Sequence, residues 1–191
     1  MSLNTELCTS TPDDISLAFS LAPIGLLVSR QRIIQTYNAA FAYMFGYGKD
    51  ELSGESFARI YPSNVEFEQI GNRVLGCMRE TGSSNDQRIM RHRSGRLFWC
   101  QVEGRCLDQS DPFAAAVWSF SDLSAARPMT AEFTTREREV AQFLVTGKTS
   151  KDIARQLGIS HRTIEAHRAR LMKKLNASTP GEMIARLAGG G

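Results

Sequence analysis

The chain has 191 residues, 23 Lys and Arg against 20 Asp and Glu for a net charge of +3, 42% hydrophobic residues and four cysteines. That length suits two small domains, each large enough for its own core, and no apolar run approaches the roughly 20 residues that span a bilayer, which excludes a membrane helix. The cysteines, at 8, 77, 100 and 106, follow no scaffold pattern and fit a reducing compartment; residues 1–11 lack the basic start and apolar middle of a signal peptide, so the expected location is a bacterial cytoplasm.

In chain order, residues 1–13 read as a tail, and Asp13 and Asp14 as caps of a helical stretch at 15–21. Two strands at 25–29 and 32–38 flank a turn, and a short helix at 39–45 ends at Gly46. Residues 51–60 hold short pieces. A longer helix over 64–79 carries Phe67, Ile70, Val74 and Met78 at helical intervals and stops at Gly82. Strands at 87–92 and 96–106 follow, joined at Arg93-Ser94-Gly95, and a last strand covers 113–121 before Asp122. In the second of these, Phe98, Cys100, Val102 and Cys106 alternate with Trp99, Gln101, Glu103 and Arg105, giving a core face and a polar face with one aromatic anchor. The expected fold of this part is α+β, an antiparallel sheet with helices on one side.

Pro23-Ile-Gly25, Asn38-Ala-Ala-Phe41, Phe45-Gly-Tyr47, Glu51-Leu52 with Gly54, Ser94-Gly-Arg96 with Trp99, and the closing Asp122 resemble a PAS domain over residues 14–123. Such domains sense small molecules or protein signals, or pair protomers. The resemblance nominates Tyr37, Phe41, Met44, Phe45, Phe67, Val74, Met78, Phe98, Cys100, Val102, Trp118 and Phe120 as pocket lining, although such residues are more often simply core. No cofactor is required by the sequence. The photoactive flavin subtype needs an Asn-Cys-Arg-Phe-type motif that no cysteine here has, and haem lacks an evident axial ligand, since His92 sits between Arg91 and Arg93 on a strand expected to face water.

Residues 124–132, with Arg127 and Pro128, read as a linker. An all-α unit of four helices follows at 133–188. Thr134 with Glu137, Thr149 with Asp152, and Thr179 with Glu182 match the pattern in which a hydroxyl and an acid three residues later satisfy a helix start; Ser160 is a simpler cap, and Gly147 and Gly158 can end helices. Val140, Phe143 and Leu144, then Ile153, Ala154 and Leu157, make one apolar stripe each. On the third helix Ile164, Leu171 and Leu175 share a narrow sector, leaving Arg162, Ala166, Ala169, Arg170 and Lys173 on the other side with Glu165 and Met172 at its flanks. Two alanines amid basic residues would let a helix approach the floor of a major groove.

This helix, glycine turn and basic second helix, in the runs Thr134–Val140, Lys151–Ala154, Leu157–Ser160, Arg162–His167 and Leu171–Leu175, closely resembles the LuxR-type helix-turn-helix domain. The resemblance implies a recognition helix over 160–175 and a fourth helix, with Met183, Ile184 and Leu187 as its apolar side, that supports dimerisation on DNA. The candidate DNA contacts are His161, Arg162, Thr163, Glu165, Ala166, Arg168, Ala169, Arg170 and Lys173. Two departures from the family pattern are Thr135, often proline, and Glu165, often a base; an acid there suits cytosine N4 better than phosphate.

From Met129 onward there are 11 Lys and Arg against 6 Asp and Glu, so the basic surplus is concentrated in the helical domain, where counterion release on DNA would use it. Asp13 and Asp14 do not make a receiver's metal-holding pair, since they precede a helix rather than end a buried strand. No phosphate loop, nucleophile elbow or paired carboxylates support an enzyme, and His161 and His167, six residues apart on one helix, hold a metal poorly. The expectation is a homodimeric transcriptional regulator on double-stranded DNA with a PAS domain receiving a small-molecule or protein signal. The alternative is a PAS interaction module docking on a kinase or other regulator, with DNA binding secondary.

Overall fold

The structure, a computed structural model, describes residues 11–126 and 133–188. Most of the expected tail and linker, including Arg127 and Pro128, therefore lies outside the described residues.

Helix α1 (Pro12–Leu21) starts at Thr11, whose hydroxyl accepts from Asp14 N while the Asp14 carboxylate accepts from Thr11 N at 3.0 Å. The start expected at residue 15 moves upstream because this reciprocal box satisfies two free N–H groups where an Asp cap alone satisfies one. Strands β1 (Gly25–Arg30) and β2 (Ile33–Tyr37) pair antiparallel across Gln31 and Arg32, both left-handed at φ 49° and 62°, as a tight hairpin turn demands. Asn38 then caps α2 (Ala39–Phe45). Its Oδ1 accepts from Phe41 N and Leu26 N, both at 2.9 Å, and its Nδ2 donates to Ile24 O, tying the helix start to β1.

A 3-10 turn at Phe57–Ile60 leads to α3 (Asn64–Thr81), capped by Ser63 and ended by left-handed Gly82. Strands β3 (Ser83–Arg91), β4 (Leu97–Cys106) and β5 (Ala116–Asp122) complete a five-stranded antiparallel sheet of order β2-β1-β5-β4-β3. Strand β3 begins four residues before the expected Gln87, because Ser83 pairs with Arg105 and the ladder continues where the apolar pattern does not. Strand β5 begins three residues after the expected Phe113, whose carbonyl instead accepts from Gln31 N in a turn.

Helices α2 and α3 and the 3-10 turn cover one face of the sheet, enclosing a core that includes Phe41, Phe45, Met78, Phe98, Cys100 and Phe120. Four further helices follow: α4 (Thr135–Val145), α5 (Ser150–Leu157), α6 (His161–Lys174) and α7 (Pro180–Leu187), capped by Thr134, Thr149, Ser160 and Thr179. Their core contains Val140, Leu144, Ile153, Ile164, Leu171 and Leu187, and it also takes in Ile89 and Trp99 from the sheet. Trp99, expected as an anchor on a polar face, is thus buried at 2% exposure beneath the second domain. The sheet is covered by its own helices on one side and partly by the helical domain on the other, and α4 packs against the edge strand β3.

Candidate nucleic-acid interface

Helix α6 is set up by local chemistry. Gly158 ends α5 at φ 63°, and a Cβ there would meet nothing within 4 Å, so the requirement is conformational rather than steric. The Ser160 hydroxyl then accepts from Thr163 N at 3.1 Å and hydrogen-bonds the Thr163 side chain. Ile164 and Leu171 are fully buried and Leu175 nearly so, which fixes the rotation of the helix against α4 and α5. Arg162, Ala166, Ala169, Arg170 and Lys173 all lie on the exposed side.

Other sequence-nominated residues differ among themselves. His161 and Thr163 are exposed in the first turn. Arg168 is half-buried: its guanidinium donates to Ser150 Oγ at 2.6 Å and to Glu165 at 3.3 Å, so it is tethered to the start of α5. Glu165 also has His161 Nε2 at 3.7 Å. Hydrogen bonding from Ser150, then the charges of Arg168 and His161, hold its carboxyl below the usual range despite some burial. His167 sits half-buried between α6 and its neighbours with Nδ1 unpartnered, and burial, followed by the charges of Arg170 and Arg136, pulls its pKa down.

Two ties hold α6 at its far end. Lys174 Nζ donates to Glu137 Oε2 at 2.7 Å, and the same oxygen accepts from Thr134 N at 2.8 Å. Burial pushes the Glu137 carboxyl up, but these bonds outweigh it and hold it below the usual carboxylate range. Arg186 of α7 donates to Leu175 O at 2.6 Å, capping the helix. Of the expected apolar side of α7, Met183 and Leu187 are buried within the domain and only Ile184 faces outward.

Within the sheet domain, ten of the nominated pocket residues are buried in one packed core, with Tyr37 and Met44 partly buried at its edge. The aromatic rings interlock: Phe41 stands 4.5 Å from Phe45 and 5.0 Å from Phe120 by ring centroids. A void of about 10 Å³ lies beside Phe57, Tyr61, Phe67 and Trp118, the size of one water. Burial pushes the Cys100 thiol up to about 12, which disfavours the thiolate a metal would need. His92 places Nδ1 against Ser94 in the β3–β4 turn, and its ring packs on Gly46.

Several buried charges escaped the sequence reading, and three of them join distant elements. Arg88, wholly buried on the core face of β3, donates to Asp86 through Nε at 2.6 Å and to the Tyr61 hydroxyl at 2.7 Å. Glu66 of α3, 1% exposed, receives two hydrogen bonds from Arg138 of α4, at 2.8 and 2.7 Å, across the seam between the domains. Only half of that second pair carried a signal, because Ser63 and Glu66 have the spacing of a helix start, and Ser63 Oγ does donate to Glu66 at 2.7 Å.

Comparison with known proteins agrees with this division. A PAS domain model matches residues 22–125, and the model of bacterial regulatory proteins, luxR family, matches residues 131–186. The PAS domain of a LuxR-family transcriptional regulator from Burkholderia thailandensis, solved in complex with ethanol, is similar with 50% identity and a TM-score of 0.57, covering 58% of this chain and 98% of that one. Vibrio cholerae VqmA, a LuxR-type receptor, shares the fold along 95% of this chain and 88% of its own, at 22% identity and a TM-score of 0.55. The transcriptional regulatory protein UhpA of Escherichia coli is 46% identical over 57 residues, 30% of this chain and 29% of its own length. The chain spans about a fifth to a third of the length of such curated relatives, and its LuxR-type homologues are transcriptional regulators rather than enzymes. A PAS domain over more than half of the chain, followed by a helix-turn-helix of the luxR family, makes this protein a member of the PAS-containing LuxR-type DNA-binding transcriptional regulators.

Proposed function

We propose that this regulator binds double-stranded DNA as a homodimer, each α6 entering a major groove, and that a signal received by the PAS domain changes how the two recognition helices are placed. The observation that carries the proposal is the open face of α6: Arg162, Ala166, Ala169, Arg170 and Lys173 are free of the PAS domain in the docked arrangement, while Ile164 and Leu171 anchor the other side. Arg170 and Lys173 suit phosphate, Arg162 and Glu165 suit base edges, and the alanines permit close approach. His161 and Thr163, at the exposed N-terminal turn, lie where a recognition helix first meets the groove. Arg168 supports the surface by holding Glu165 and Ser150 in place.

Pairing of two chains is supported by α1, which buries none of its residues and leaves Ile15, Leu17 and Leu21 between 58% and 71% exposed. We read residues 14–123 and 133–188 as the two domains, a reading supported by a core within each, the second of which also takes in Ile89 and Trp99 of the sheet. No helix among the described residues is long and apolar enough to cross a membrane, as suits a DNA-binding regulator of the cytoplasm. The PAS core is filled, so a small-molecule signal entering it displaces rings such as Phe57 or Trp118; a protein signal needs no such opening. Selection of bound sequences from random duplexes tests the proposal. Two half-sites in inverted orientation, about 34 to 36 Å apart, are the expected outcome; a single unpaired half-site would overturn the dimer, and no enrichment would overturn sequence-specific binding.

A further inference from the structure

Between α3 and β3 of the PAS domain and α4 and α5 of the DNA-binding domain lies an open-mouthed cavity of about 380 Å³. That volume falls within the range of small-ligand sites, which favour domain seams. Two of its polar groups lack a hydrogen-bond partner among the described residues, one half-buried and one buried. Arg73 reaches from α3 with its guanidinium carbon 4.9 Å from the Phe143 ring centroid, and it makes no hydrogen bond or ion pair with any described residue. Gln142, 5% exposed on α4, has its Nε2 buried without a partner. Asp86, which also lines the cavity, is bonded to Arg88, and Glu139 is bonded to Arg136 through one oxygen while its Oε1 has no partner among the described residues; both acids attract Arg73 through space without a direct bond to it. Lys148 adds a second positive charge to the wall, and Asn85 and Gln156 add amides.

We propose that this seam binds a small organic molecule carrying a carboxylate or phosphate group. A guanidinium held over an aromatic ring offers a two-pronged donor that matches either oxyanion, and the unpartnered Gln142 amide on the other wall can turn its N–H to supply a third hydrogen bond. Phe143 and Val74 give the organic body an apolar wall. Because the lining comes from both domains, such a ligand binds the docked arrangement and stabilises it by mass action. The site lies outside the PAS interior and away from α6, so its failure leaves the DNA-binding proposal standing.

Calorimetric titration of the full chain with benzoate, phenyl phosphate and neutral benzyl alcohol tests it. The expected result is one anion bound per chain with no binding of the alcohol, and the preferred anion identifies the head group. Arg73→Met on one side of the seam and Gln142→Leu on the other should each weaken binding, the former by about tenfold or more, while Arg79→Met, an exposed charge on the same helix, should not. Failure of both anions to bind at about 10 mM, equal binding of the alcohol, or equal effects of Arg79→Met and Arg73→Met would overturn the site. Should Arg73→Met melt early, Arg73→Lys keeps the charge but loses the fork, and an unchanged affinity in that variant also overturns it.

Discussion

At the scale of single residues, the DNA face separates groups that point outward from groups that hold others in place. Arg170 and Lys173 are exposed and unencumbered by ion pairs within the domain. Replacing either with alanine should weaken binding uniformly across sequences and reduce the slope of log affinity against log salt by about 0.9 for each lost contact, measured by salt titration. Glu165 is different because its charge is locked to Arg168 and Ser150. Glu165→Gln should relax preference at one base pair in a binding selection; unaltered selectivity would make the carboxylate a purely structural tether. His167 reports on the same surface. Its pKa in the folded state lies below the usual value near 6.5, so it contributes stability above that pH that is lost as pH falls through the folded value. Since Arg170 supplies part of the depression, Arg170→Ala should raise the His167 pKa in an NMR titration.

Among the elements, those legible from the sequence are those whose ends are written in local chemistry. Thr134, Thr149, Ser160 and Thr179 cap the four helices, because a hydroxyl at that position meets an N–H that has no other partner. Left-handed Gly158 sets the turn into the recognition helix. Gly158→Ala should cost about 1 to 2 kcal/mol in a denaturant melt, from the left-handed backbone alone, since the space for a methyl group exists. The elements misplaced at their ends are those whose extent depends on a neighbour. Ser83 to Asp86 alternate no apolar residues, yet they extend β3 because β4 is long enough to pair with them. Phe113 has a strand-like side chain but spends its carbonyl on the hairpin turn at Gln31.

Across the whole molecule, the decisive feature is the seam that makes the PAS sheet part of the helix-turn-helix core. Glu66 and Arg138 are buried and bonded twice, so removing one partner strands the other charge away from water. Either Glu66→Gln or Arg138→Met should destabilise the docked chain by about 3 to 5 kcal/mol, and the double variant should recover much of that loss in urea denaturation; additive losses would show that the pair is not coupled. The charge surplus, the four caps, the apolar stripes and the exposed basic face of α6 were determined by the sequence itself, because each depends on residues within a few positions of one another. Only the tertiary structure decided that Trp99 is covered, that Glu66 meets a partner 72 residues away, and that a cavity with an unpaired Arg73 opens between the domains. Periodicity tells which side of an element is apolar; it does not tell which distant surface will come to cover it.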